Sequence, residues 1–121
     1  MEPKIIVVDS YNFSRKTTVR LLEDLSFTVV GEANSIQKTQ KLINTSHCNM
    51  CLVDMTGIEF TRTLKERNKH LGIILTSFLT LEGLKIDAIL AGVSDNLEKP
   101  LNKSDLEKSI YYLQQIITMK D

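Results

Sequence analysis

Four polar residues stand where apolar runs end. Asp9 follows "IIVV", Asp54 closes "CLVD", Thr76 closes "IILT", and Lys99 precedes Pro100 at the end of "AGVSDNLEKP". Gathered at one edge, two carboxylates, a hydroxyl and an ammonium would make a joint site for a cation and an oxyanion. Carboxylates hold a hard cation, while the ammonium and hydroxyl meet the oxyanion. Each residue also has an ordinary structural use. Strand-end aspartates often cap the next helix, threonine is common in strands, and a lysine before proline is usually solvated. Their significance depends on whether the fold brings them to one place.

A second group carries sulfur. The only two cysteines, Cys48 and Cys51, form C-x-x-C directly after His47, a spacing shared by redox pairs and half zinc sites. A thioredoxin-type pair sits after a strand, at a helix N-terminus that stabilises the thiolate. Here Cys51 lies inside an apolar run and Cys48 precedes it, so Cys51 reads as a small buried hydrophobe. His47 and His70 would complete a metal set with the thiols only if the two strand starts are neighbours.

Positioning these residues requires a frame. Five strand candidates, "KIIVV", "FTVVG", "MCLVD", "GIILTS" and "VSDNL", alternate with segments of helical length at residues 14–25, 36–44, 58–68, 81–91 and 103–119. Ser35 is placed to cap the second helix, Gly92 to end the fourth, and "NKSDLEK" to start the fifth. Alternation of strand and helix demands a parallel sheet, because parallel neighbours need a crossover, and right-handed crossovers put helices on both faces. In such a sheet the ligand crevice lies at the carboxyl ends of the strands, where Asp9, Asp54, Thr76 and Lys99 would stand.

With no repeat, low-complexity segment or linker, the expectation is one domain over residues 1–121. Lys+Arg and Asp+Glu balance at 15 each, and no recognition-helix unit lies outside the five βα units, which argues against direct nucleic-acid binding. No apolar run approaches the roughly 18 residues of a membrane span. "MEPKIIVVDS" also lacks the positive start of a signal peptide, so a soluble cytoplasmic protein is expected.

Taken in order, "IIVVDS", "CLVD", "GIEF", "IILTS" and "AGVSDNLEKP" resemble the receiver domain of two-component response regulators over essentially the whole chain. The resemblance implies a flavodoxin-like α/β fold, a (βα)5 three-layer sandwich with a five-stranded parallel sheet of order 2-1-3-4-5. It implies that Asp54 accepts a phosphoryl group from a histidine kinase or phosphotransfer protein and that Thr76 and Lys99 contact it. It also implies Mg²⁺ held by Asp9, Asp54 and the Thr56 backbone, and output through protein contacts rather than enzyme turnover.

Three positions depart from that family pattern. Ser10 replaces a second acid, which predicts weaker Mg²⁺ binding, with the hydroxyl as a weak or water-mediated ligand. A carboxylate about 4 Å from a divalent ion contributes roughly 8 kcal/mol of gross attraction at an effective dielectric near 20. The chain runs straight from Asp54 to Gly57, cutting the loop by roughly five residues where a typical βα loop has 2 to 6. Asn96 stands where the family's switch aromatic is expected. These changes leave a second function open, a phosphorylation-independent pseudo-receiver acting as an interaction module.

The last helix should pack Leu106, Ile110, Leu113 and Ile117 on the sheet, leaving Tyr112, Ile116 and Met119, with Leu90, as a face for an output partner or homodimer. A flavin site is disfavoured because "DSYNFSRKT" has no glycine for a phosphate loop. A haloacid-dehalogenase-type phosphatase would need a second aspartate at Tyr11.

Overall fold

The computed structural model describes residues 2–54, 58–78, 89 and 91–120. The chain runs β1 (Lys4–Asp9), α1 (Asn12–Asp24), β2 (Thr28–Ala33), α2 (Ile36–Ser46), β3 (Met50–Asp54), α3 (Ile58–Arg67), β4 (Gly72–Ser77), β5 (Asp95–Glu98) and α4 (Lys103–Lys120). The strands form one sheet of order β2-β1-β3-β4-β5 with every pair parallel, the flavodoxin-like arrangement expected.

Side chains alternate across the sheet with period two and fill a layer on each face. Ile5, Val7, Met50, Leu52 and Ile74 meet Leu22 of α1 and the stripe Leu106, Ile110 and Leu113 of α4. On the other face, Ile6, Val8, Cys51, Val53, Ile73 and Leu75 meet Leu64 of α3 and Leu42 and Ile43 of α2. Each fully buried aliphatic contributes about 1.5–3 kcal/mol, so the two layers supply the main drive for folding. Gly72 lets α4 approach β4 closely, since a Cβ there would lie 2.7 Å from Leu113 Cδ2.

Helix ends follow the local chemistry. Ser35 caps α2 by accepting from the Lys38 N–H at 3.2 Å. Asn102 does the same for α4 with the Asp105 N–H, also at 3.2 Å. The first helix starts two residues before the expected Ser14, because the Tyr11 carbonyl already accepts from the Arg15 N–H. Of the helix expected at residues 81–91, all but Ile89 and Ala91 lie outside the described residues. Ile89 is helical, and Gly92 donates to its carbonyl at a φ of 95°, a left-handed conformation that suits glycine.

Candidate functional site

Strand register sets the two carboxylates side by side. Asp9 and Asp54 are paired residues at the ends of β1 and β3, on strands about 4.8 Å apart. Thr76 follows Leu75, the last β4 residue paired with β3, and its buried hydroxyl donates to the Val53 carbonyl at 3.5 Å. Lys99 arrives from the far edge of the sheet, where its N–H bonds the Ser77 carbonyl at 2.7 Å and its peptide to Pro100 is cis.

The Lys99 ammonium makes two hydrogen bonds and one longer ion pair. It donates to Asp54 Oδ2 and, at 2.8 Å, to Ser14 Oγ at the start of α1, and it lies 3.6 Å from Asp9 Oδ2. The Phe78 ring faces it with a centroid distance of 5.6 Å. One ammonium thus meets two carboxylates, and the Lys99 side chain is only 7% exposed and that of Asp9 only 2%. Asp9 Oδ1 accepts from the Tyr11 N–H at 2.9 Å, while Oδ2 is buried without a hydrogen bond. An unsatisfied buried carboxylate oxygen beside a second carboxylate is a donor set that a hard divalent cation fits.

The loop bearing Asp9 is braced from outside. Arg15 donates through Nη1 to the Asp9 carbonyl at 3.0 Å and through Nε to Glu32 Oε1 at 3.1 Å, and Lys16 reaches Glu32 Oε2 at 2.9 Å. Burial pushes the Glu32 carboxyl up, but the hydrogen bonds and charges of Lys16 and Arg15 outweigh it and hold Glu32 below its ordinary value. Beside Lys99 opens a largely apolar cavity of about 390 Å³, with the exposed rings of Phe13 and Phe78 on its rim.

Of the residues singled out in the sequence, Asp9, Asp54 and Lys99 converge directly, and Thr76 is held to the strand residue preceding Asp54. Ser10 is exposed, Asn96 lies half-buried on β5, and Thr56 and Leu90 fall outside the described residues. On α4, Tyr112 and Met119 are exposed and Ile116 is half-buried. Among the described residues, no cluster of three or more His, Cys, Asp or Glu could hold a metal, so the two-His two-Cys set does not form there. Also among these residues, no helix is long and apolar enough to cross a membrane. Ser14 and Arg15 were missed by sequence reasoning. Their place on the first turn after "DSYN" was legible, but their partners, Lys99 just beyond β5 and Glu32 on β2, were not.

A family model described as the response regulator receiver domain matches residues 5–111. The chain belongs to this family. The receiver domain is 29% identical over 114 residues to the chemotaxis protein CheY of Pseudomonas aeruginosa, covering 88% of this chain and 92% of that protein. It is 32% identical over 114 residues to the DNA-binding transcriptional activator DevR/DosR of Mycobacterium tuberculosis, covering 88% of this chain but only 52% of that protein. The fold is shared by a CheY-like receiver domain protein from Methanospirillum hungatei, with a TM-score of 0.85, 18% identity and full coverage of both chains. As a group, receiver domains accept phosphoryl on an aspartate, generally bind Mg²⁺ there, and pair with histidine kinases or phosphotransfer proteins and with output domains.

Proposed function

We propose that this receiver domain accepts a phosphoryl group on Asp54 from the phosphohistidine of a kinase or phosphotransfer protein. The observation that supports this most is Lys99, whose ammonium is seated on Asp54 and beside Asp9 at the ligand-bearing edge of the sheet. Asp54 Oδ attacks phosphorus, the P–N bond to histidine breaks, and an acyl phosphate forms. Lys99 moves its contact from the carboxylate to a phosphoryl oxygen, and Thr76 turns its hydroxyl from the Val53 carbonyl to another.

Asp9 and Asp54 would hold Mg²⁺, with the Thr56 carbonyl as a third ligand and Ser10 contributing weakly or through water. Bound there, the ion offsets repulsion between the carboxylate and the incoming anion. The face at Tyr112, Ile116 and Met119, which the sequence expectation joins to Leu90, would carry the output contact or a homodimer.

Acetyl phosphate with Mg²⁺, followed by intact mass, tests this reading. The expected result is one phosphoryl adduct on the wild type and none on Asp54→Asn. A specific observation favours the pseudo-receiver instead: with Ser10 in place of an acid, Lys99 already engages both remaining carboxylates, a closed arrangement that a partner could read without phosphorylation. That reading expects no adduct, and output that survives Asp54→Asn but is lost in Tyr112→Ala.

A further inference from the structure

At the opposite, amino edge of the sheet, the chain turns from α2 into β3 through His47, which is left-handed at φ 56°. Asn49, between the two cysteines, is pinned to the start of β1. Its N–H donates to the Lys4 carbonyl at 3.0 Å, its Oδ1 accepts from the Lys4 N–H at 2.9 Å, and its Nδ2 donates to the Glu2 carbonyl at 2.9 Å. The backbone joining the cysteines is therefore held in one arrangement.

Residues three apart in a continuous strand point to opposite faces. Cys48 precedes the strand and escapes that rule: it packs, half-buried, against the same core layer in which Cys51 is fully buried. The neighbouring Cys51 thiol holds the Cys48 thiol below its ordinary value despite burial, while Cys48 and burial together push Cys51 well above it.

Outward, Cys48 opens on a cavity of about 450 Å³ that Arg67, Lys69 and His70 also line, with no carboxylate among the described lining residues. The carbonyl end of α2 disfavours a thiolate nearby, whereas the charges of Arg67 and Lys69 on the cavity wall favour one. A partly exposed thiol in an electropositive surrounding, backed by a second thiol, is the environment of an exchanging cysteine.

We propose that Cys48 and Cys51 are an attacking and a resolving thiol that exchange with a small anionic disulfide bound in this cavity. The Cys48 thiolate attacks one sulfur of the ligand, the ligand's S–S bond breaks, and one half leaves as a thiolate while the other stays joined to Cys48. Cys51 then loses its proton to the departed thiolate and attacks Cys48 Sγ, breaking the mixed disulfide and expelling the second half. Two electrons pass from the cysteines to the ligand, which ends as two thiols. The resulting crosslink ties down the root of β3, the strand whose other end carries Asp54.

The test uses the reduced full chain with oxidised glutathione, followed by intact mass and non-reducing peptide mapping. The wild type should gain one glutathione transiently and then show a net loss of about 2 Da with Cys48 crosslinked to Cys51. Cys51→Ala should stop at the adduct, and Cys48→Ala should take none. Because Cys51 is a core residue, the crosslink mapped in the wild type decides without that variant. Cationic cystamine should react about fivefold more slowly than glutathione disulfide at low salt. The gap should close in Arg67→Ala/Lys69→Ala and at about 1 M salt. A wild type that keeps both thiols, a Cys48→Ala chain that still gains the adduct, or cystamine reacting as fast as glutathione disulfide would overturn the proposal.

Discussion

At the carboxyl edge of the sheet, charges are buried and set against each other, whereas at the amino edge cations line an open cavity around a thiol. Lys99 and Asp9 are buried and Asp54 is only 26% exposed, so their attraction is less screened than that of a surface pair, and removing one partner strands the others. Arg67, Lys69 and His70 have solvent at hand, so their influence on Cys48 is weaker and dependent on salt. One sheet thus carries a rigid, charge-matched site at one end and a softer, electropositive one at the other. A rigid site suits a group transfer that needs fixed geometry, and a soft one suits attraction of a diffusing ligand.

The contrast can be broken most directly at Lys99. Lys99→Ala should cost about 3 kcal/mol in urea unfolding, because it leaves two adjacent carboxylates without their cation. It should also slow phosphorylation at least about tenfold. Adding Asp9→Asn should recover part of the stability, about 1 kcal/mol, by removing one stranded charge. Unchanged urea midpoints would mean that the carboxyl edge is no more tightly matched than the amino edge.

Ser10→Asp restores an acid beside the Asp9–Asp54 pair. It should tighten Mg²⁺ binding about tenfold in a titration, equivalent to about 1.4 kcal/mol. A smaller step is expected at Ser14, whose hydroxyl accepts a hydrogen bond from the Lys99 ammonium. Ser14→Ala should slow phosphorylation by acetyl phosphate about fivefold, close to the 1 kcal/mol of one hydrogen bond, and Ser14→Thr should retain the rate.

The smallest effect concerns Glu32. Its folded-state pKa is lowered from an ordinary 4.5, so its stabilising contribution is complete above that value and is lost as pH falls through the lower folded value. Glu32→Gln should therefore lower stability at neutral pH by under about 1 kcal/mol, read from the urea midpoint, with the difference from wild type vanishing as pH falls through that acid window.

Much of the fold was legible because its signals are local. The runs "IIVV" and "IILT" are continuous because both faces of their strands are covered, and Ser35 and Gly92 mark helix ends through bonds to residues three positions away. The strand-end aspartates could be paired in advance because parallel topology sends every carboxyl end to one edge. The first helix began earlier than expected because a backbone carbonyl, which has no signature in residue type, starts it at Tyr11.

By itself the sequence determined the alternation of strands and helices, and with it which edge collects Asp9, Asp54, Thr76 and Lys99. Only the tertiary structure decided that Ser14 accepts from a lysine 85 residues away, that Arg15 braces the Asp9 loop, and that Cys48 shares a cavity with His70. The physical reason is range. Periodicity and caps are written in neighbouring residues, whereas a side chain's partners across a sheet depend on register and helix rotation, which the packing of the whole core sets at once.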